Sequence, residues 1–434
     1  MRANGLAFTS PKLEILTDSQ KKSLHLAALE ILERTGVVVK NKTAVQLLKQ
    51  SGAFVEEEYV KIPVKMVEKA LQTAPEKITL ADRNGERTIF LEDHNIYFGA
   101  MADNIQYIDR DSGERRDLVL KDIRTNCLVA DAAENIDFVA SAGIVKDVKP
   151  EYSGRKIFKE LIENTSKPVG FCCQGIKDME DIIAIAEIVA GGPEKLKTNP
   201  FLYHYAEPIT PLIHPEDSLN KMRLCAEAGI PIVYTPMPMG GATAPASPAG
   251  MLAINIAECL SGLVINQLFD SGAPFIFGGI PAGLDMKTSI FRYGAPDLYL
   301  QVAALTEMSH YYQLPMFGTA GISDSKFIDA QAGLEAGLSC LMSALSGANL
   351  VHDVGAIDHC EITSPEMILL TDEIVGMLKH MMGGIEINRE TLCLDLIDKV
   401  GAGGNYLTEE HTLDNYKSFW YPQFLDKSTY RDDN

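Results

Sequence analysis

Pro231-Ile232-Val233-Tyr234-Thr235-Pro236-Met237-Pro238-Met239-Gly240-Gly241-Ala242-Thr243-Ala244-Pro245 begins as a short apolar run and ends as a loop of Gly, Pro and small residues. Ala273-Pro274-Phe275-Ile276-Phe277-Gly278-Gly279-Ile280-Pro281-Ala282-Gly283 repeats the arrangement. An apolar run this short, bounded by turn residues, reads as a strand buried on both faces. Gly and Pro just beyond it let the backbone approach a ligand closely. Working outward, similar runs lie at 96–102, 136–144, 168–173, 201–206, 314–319 and 348–354, which makes about eight in all. Between them sit helical patterns at 121–132, 154–165, 179–189, 215–228, 248–269, 296–312 and 329–346. Strand–helix alternation at this spacing implies a parallel sheet with right-handed crossovers. Eight units imply closure, so the expected fold is α/β, a (β/α)8 TIM-type barrel. An open dinucleotide-binding sheet would show a glycine-rich first turn with an acidic residue about twenty positions on, and none is present.

Residues 1–95 read as an N-terminal helical and hairpin cap. Thr17 and Gln20 have capping-box spacing, and Leu24, Ala28, Ile31 and Leu32 follow at helical period up to Gly36. Asn84-Gly85 between 77–81 and 88–91 is a strong hairpin turn. Residues 96–362 are assigned to the barrel and 363–434 to a C-terminal helical extension. Its aromatic tail (Phe419, Trp420, Tyr421, Phe424) is expected to pack back onto the barrel.

The chain has 434 residues and a formal charge of -20. Nucleic acid and anionic membrane are disfavoured as partners, because both require basic patches. The acidity suits a cationic ligand or a basic protein. Eight scattered Cys, with only Cys172 and Cys173 adjacent, fit thiols in a reducing cytoplasm. The opening MRANGLAFTSPKLEIL lacks the apolar core of a signal peptide. The most apolar run, 251–268, is interrupted by Asn255, Glu258, Asn266 and Gln267 and reads as a core helix rather than a membrane span.

In a barrel the site lies at the C-terminal strand ends. Aromatic residues recur on or near the runs: Tyr97, Phe98, Phe171, Tyr203, Tyr205, Tyr234, Phe277 and Phe317. About half must point into the helix layer, since side chains alternate along a strand. A ring-lined site in an acidic chain suits a quaternary ammonium, worth roughly 0.5–2 kcal/mol per ring. Conventional catalytic patterns, including GxSxG, the Walker loop and HExxH, are missing. His352, His359 and Cys360 do not have the spacing of a zinc clip, and no metal site is assigned.

The run Gly240-Gly241-Ala242-Thr243-Ala244-Pro245, the helix with Asn255, Glu258 and Gly262, and Gly272-Ala273-Pro274 resemble the trimethylamine methyltransferase superfamily. So do Gly318-Thr319-Ala320-Gly321, Ser323-Asp324-Ser325-Lys326 and Asp329-Ala330-Gln331-Ala332-Gly333, and the resemblance covers nearly the whole chain. It implies methyl transfer from a methylated amine to Co(I) of a corrinoid (cobalamin) held by a separate small protein, with no permanently bound cofactor. Founding members carry pyrrolysine near the 318–326 segment, where this chain has only standard residues. That points to the non-pyrrolysine branch, whose substrates are quaternary amines such as glycine betaine, proline betaine and carnitine.

Losing a methyl turns a quaternary nitrogen into a neutral amine, so no catalytic acid or base is needed. The expected substrate-binding set is Tyr97, Asp103, His204, Tyr205, Glu207, Tyr234, Phe277 and His352, with Arg292 or Lys326 as further donors to a betaine carboxylate. The expected corrinoid-facing rim is Gly241, Ala242, Thr243, Gly279, Gly321, Ser323 and Asp324. Enzymes of this size on a barrel often form homo-oligomers. The competing readings are a zinc-dependent methyltransferase, another small-metabolite barrel enzyme, and a non-enzymatic betaine-binding protein.

Overall fold

The structure is a computed structural model that describes residues 11–100, 103–109 and 112–430. Residues 1–10 of the N-terminal stretch, and the last two residues of the 96–102 run, lie outside the described residues. Eight strands form one parallel sheet: β1 Tyr97–Ala100, β2 Val139–Ala140, β3 Val169–Phe171, β4 Leu202–Ala206, β5 Ile232–Tyr234, β6 Phe275–Gly278, β7 Met316–Thr319 and β8 Leu350–Val354. Each falls within one of the eight apolar runs. Seven consecutive pairings are made by strand ladders, including β8 with β1. The eighth, β1 to β2, is made by the parallel bridges Gly99–Phe138 and Asn104–Gly143, which close the barrel.

The helices follow in turn: α1 Leu120–Ala132, α2 Pro150–Asn164, α3 Gly175–Ala190, α4 Glu216–Ala228, α5 Pro248–Phe269, α6 Pro296–Tyr311, α7 Ala330–Ser346 and α8 Pro365–Met382. Residues 365–382, grouped above with the C-terminal extension, form the helix that packs between α7 and α1 and completes the ring. Several helix starts are specified locally. Ser247, Asp329 and Ser364 accept backbone N–H bonds at the starts of α5, α7 and α8, and Pro248 and Pro365 occupy the first helical turn.

The barrel interior is packed by Tyr97, Phe138, Tyr203, Val233, Ile276, Phe317 and Leu350. The hairpin Ile78–Ala81/Arg87–Leu91 adds Ile78, Leu80, Ile89 and Leu91 to the same cluster. It therefore plugs the end of the barrel opposite the C-terminal strand ends. The N-terminal helices Asp18–Glu30, Lys42–Gln50 and Val64–Thr73 cover α5 on its outer side. This explains why α5 is the most apolar helix: it has the length and composition of a membrane span, yet 78% of that window is buried inside the protein.

The strand Val37–Val39 pairs in parallel with Ile213–His214, in the loop after β4. The loops after β5 and β6 are joined by pairing of Met239–Gly240 with Ala282–Gly283. The aromatic tail does not pack back as expected. Gln423 N–H donates to Glu373 of α8 and Trp420 is half-buried, but Phe419, Tyr421 and Phe424 remain exposed, uncovered by the other described residues.

Candidate active site

Sheet closure gathers one group from each of several strand ends. A cleft of about 320 Å³ opens at the mouth, lined by Asp103 after β1, Gly143 after β2, Cys172 to Gln174 after β3, Tyr205 and Glu207 at the end of β4, and Lys221 of α4. Asp103 and Glu207 open onto the cleft and are otherwise surrounded by protein. Loss of hydration raises both carboxyls: Glu207 moves up to about 7, mainly by burial and then by the charge of Asp103. Asp103 is raised by burial, opposed in part by the nearby Cys172 thiol, whose Sγ is 3.6 Å from its Oδ2.

Tyr205 projects toward the barrel axis beside Phe317, with ring centroids 5.7 Å apart, and beside His352 at 5.9 Å. His352 lies over Phe317 at 4.2 Å. Its Nδ1–H donates to the Gly318 carbonyl at 2.8 Å, which leaves Nε2 facing Asp353 Oδ1 at 3.0 Å. An imidazole nitrogen and a carboxyl oxygen in contact hold one proton between them. Thr319 donates a further bond to Asp353. Burial raises Asp353, against the pull of His352.

Sequence reasoning assigned no role to Asp353, Tyr293 or Lys221, and weighed Cys360 only as a metal ligand. Tyr293 and Cys360 reach the mouth from the loops after β6 and β8, and their side chains are hydrogen-bonded to each other. Loop residues carry no periodic signal. Lys221 did carry one: it interrupts the apolar face Leu219, Met222, Cys225 of α4. Its Nζ contacts the Cys173 carbonyl at 2.9 Å and Asp217 at 2.7 Å, and it lines the cleft with Glu207.

The other expected substrate contacts are distributed by strand alternation. Of the eight aromatic residues, Tyr97, Tyr203, Tyr205 and Phe317 face the barrel interior, whereas Phe98, Phe171, Tyr234 and Phe277 join the outer core against the helices. Tyr97 sits in the interior layer that meets the plugging hairpin. The structure thus corrects two candidates: Tyr234 is stacked on His214 and donates or accepts at its Nδ1 over 2.7 Å, and Phe277 packs on Tyr312. His204 also points outward. Its Nδ1 meets the Phe171 carbonyl at 3.1 Å, and burial followed by Lys221 lowers its pKa to about 3. Asp103, Tyr205, Glu207 and His352 are the members of the expected set that converge.

Tyr234→Phe provides a check on this partition. It leaves a buried His214 nitrogen without its partner, which costs about 1–3 kcal/mol. Stability in urea is expected to fall by that amount while kcat stays within twofold. A large kcat loss without a stability change would place Tyr234 in the site after all.

The expected rim also divides. Gly241 and Ala242 are exposed at the tip of the loop after β5, which Thr243 closes by accepting the Met239 N–H at 3.0 Å. Gly279, Gly321 and Ser323 are buried rather than rim residues. A side chain on Gly279 would collide with Asn255, the Gly321 N–H is bound to Ser339, and Ser323 donates to Glu335 at 2.6 Å. Asp324 is partly buried, accepting from the Tyr293 N–H at 3.0 Å and pairing with His359 at 2.9 Å. Arg292 and Lys326 are engaged by Asp297 and by His359 and Asp358. Met286 and Phe327, on the loops after β6 and β7, are 76% and 70% exposed and put apolar surface near the mouth. Among the described residues, no group of three His, Cys, Asp or Glu side chains is arranged to hold a metal ion.

A closed parallel barrel of eight strands, with a cleft gathered among the loops at its C-terminal mouth, has the architecture of a TIM-barrel enzyme. The chain belongs to the family described as Trimethylamine methyltransferase (MTTB), whose model matches residues 2–432, and it is a methyltransferase. It is 33% identical to a glycine betaine methyltransferase of Desulfitobacterium hafniense (strain Y51), over 97% of this chain and 88% of that protein. It is 31% identical to the trimethylamine methyltransferase MttB of Methanosarcina thermophila, over 98% and 90%. The Methanosarcina barkeri monomethylamine methyltransferase (MtmB) shares the fold, with a TM-score of 0.57, 13% identity, and coverage of 92% of this chain and 82% of that one.

Proposed function

We propose that this methyltransferase takes a methyl group from a quaternary amine of the betaine class and passes it to the corrinoid of a separate protein. The observation that carries the reading is the meeting of Tyr205, Glu207 and Asp103 in one cleft at the barrel mouth. Ring faces and carboxylates attract a cation that has no N–H to donate. The similarity to a glycine betaine methyltransferase supports a substrate with a carboxylate as well. Lys221, which lines the same cleft and is also bridged to Asp217, brings a positive charge for it.

The segment Ala320-Gly321-Ile322-Ser323 supports a quaternary rather than a tertiary amine. Its residues are ordinary and fully buried, so none of them offers a reactive group to activate an uncharged amine. A quaternary nitrogen is already activated. When its N–CH3 bond breaks, the bonding electrons stay on nitrogen and a neutral tertiary amine departs without a proton. The corrinoid cobalt, as Co(I), supplies the nucleophile that accepts the methyl group.

The residues of this chain have three tasks. Tyr205 and its ring neighbours orient the ammonium so that one methyl faces the open mouth. The plugged floor and the packed interior keep water from the other side. Glu207 and Asp103, both with raised pKa, hold the cation with moderated charge, which matters because over-stabilising the ground-state cation would raise the barrier to losing its charge. Exposed Met286 and Phe327, with the small tip residues Gly241 and Ala242, give the acceptor protein an apolar landing surface.

The test uses purified protein, glycine betaine and a reduced corrinoid protein. Dimethylglycine is expected only when all three are present. Formation of dimethylglycine without corrinoid would overturn the mechanism, and absence of turnover across a panel of betaines would overturn the substrate class.

The acid at the mouth gives a pH signature. Glu207 is neutral below about 7 and charged above it, so affinity for glycine betaine is expected to rise with pH between 6 and 8. Glu207→Gln is expected to flatten the profile, as read by calorimetric titration. Stability without ligand moves the other way. Between the ordinary value of 4.5 and about 7, the folded chain holds a proton that the unfolded chain has released, so this contribution is lost as pH rises through that window. An affinity that falls with pH would remove Glu207 from the cation site.

A further inference from the structure

We propose that Glu258 of α5 is a positioning residue for the cation site: it holds the loop 207–215 and, through that loop, sets the Glu207 carboxyl at the cleft. The inference rests on the reading of Glu207 as a cation contact, and it adds what keeps that contact in place.

Glu258 is a buried carboxyl for which methyl transfer has no direct use. It sits within the most apolar helix of the chain, closed off from solvent. A carboxyl in such surroundings is costly unless its oxygens are hydrogen-bonded. Both are bonded, and both partners belong to one loop. Oε1 accepts the Leu212 N–H at 2.6 Å, and Oε2 accepts the Thr210 hydroxyl at 2.9 Å. Burial raises the Glu258 pKa to about 7, against the pull of these two bonds.

The loop has a shape that needs holding. Leu212 has φ 62°, in the left-handed region that residues other than glycine seldom enter. Such a residue persists where its surroundings fix it on both sides. Glu258 takes the Leu212 N–H, and the Leu212 carbonyl accepts the Val38 N–H of the N-terminal strand at 2.9 Å. Ile209 and Ile213 exchange two backbone bonds, at 2.8 and 3.1 Å, which fold the loop onto itself. At its far end His214 is bonded to Tyr234 and Ser261.

Glu207 is caught between this turn and the end of β4. Only Pro208 separates it from Ile209, and a proline limits its own φ and the backbone of the residue before it. The Glu207 carbonyl also accepts the Ser218 hydroxyl of α4 at 3.0 Å. With so little slack, the place of the Glu207 side chain follows the place of the turn, and Glu258 is the side chain that fastens the turn to α5.

Two replacements separate clamp from bulk. Glu258→Met keeps the length and removes both acceptors. Glu258→Gln keeps both contacts, because its carbonyl accepts the Leu212 N–H and its amide donates to the Thr210 hydroxyl. In calorimetric titration with glycine betaine, the Met variant is expected to bind about tenfold more weakly and the Gln variant within about twofold of wild type. Thr210→Val removes one contact from the loop side and is expected to cost about threefold, which serves if the Met variant does not fold. A double-mutant cycle tests the route. In a Glu207→Gln background the Met or Val change is expected to have no further effect on affinity, whereas a general loss of structure would weaken binding in both backgrounds alike.

The Glu207 carboxyl gives a readout that needs no ligand. Its titration by 13C NMR, assigned by its loss in Glu207→Gln, is expected near 7 in wild type and Glu258→Gln, and to move toward 4.5 in Glu258→Met or Thr210→Val as the freed loop lets water in. A wild-type chain that binds no betaine, with this titration shifting as described, would overturn the substrate reading and uphold the clamp. An unmoved Glu207 titration, or a loss of affinity of equal size with and without Glu207, would overturn the clamp.

Discussion

Replacing Tyr205 by leucine is expected to weaken glycine betaine binding about tenfold, whereas Tyr205→Phe stays within about threefold. The contrast follows from what the residue supplies. Leucine keeps apolar bulk but removes the ring face, and a ring face over a desolvated ammonium is worth roughly 1–2 kcal/mol. Phenylalanine keeps the face and loses only a hydroxyl. Tyr205 lies beside the packed Phe317–His352 pair, at 5.7 and 5.9 Å, so neighbouring rings hold the pocket's shape when it is changed. Calorimetric titration with glycine betaine and with tetramethylammonium reads the effect. Both ligands are expected to lose affinity together, because the shared group is the cation. A leucine variant that binds both like wild type would show that the rings at this mouth serve packing alone.

Gly143→Ala is expected to damage both the fold and the site. Gly143 has φ 151°, and a Cβ there would lie 1.9 Å from the Asn104 carbonyl oxygen. That carbonyl belongs to the Asn104–Gly143 bridge, and it also accepts the Ile144 N–H at 2.7 Å. Neither backbone can yield without opening the seam between β1 and β2, where closure rests on isolated bridges instead of a full ladder. Strain and overpacking together are expected to cost on the order of 3 kcal/mol. Asp103 is the next residue along, so betaine binding should fall in step with stability. Urea unfolding and titration on the same sample check this. An unchanged unfolding midpoint would mean that the seam is not under the constraint described.

The two predictions rest on different kinds of information. The strands were legible because each is buried on both faces and ends in Gly and Pro, so their positions stand out from the helical stretches. The starts of α5 and α7 were legible as helical patterns beginning at 248 and 329, and in the structure Ser247, Asp329 and Ser364 cap α5, α7 and α8 locally. The phase of each strand was not. When both faces are apolar, no polar residue marks which side is in, and a shift of one residue exchanges them. Tyr205 and Tyr234 therefore read alike in sequence. In the structure one reaches the barrel axis and the other bonds to His214 in the helix layer. Tyr293, and the hydrogen bond that joins it to Cys360, were beyond reach for another reason: both residues come from loops whose course is fixed by packing over the mouth.

By itself the sequence determined the strand–helix rhythm, the closed parallel sheet that rhythm requires, and membership in a family of methyltransferases. The first two depend on periodicity, capping and residue type, which are properties of short stretches of chain, whereas the third rests on a resemblance that spans nearly all of it. Tertiary structure decided which rings face the site, which carboxyls are desolvated there, and where the C-terminal apolar residues are left uncovered. Those outcomes depend on which distant segments meet in space, and burial and charge acquire their values only after the sheet has closed.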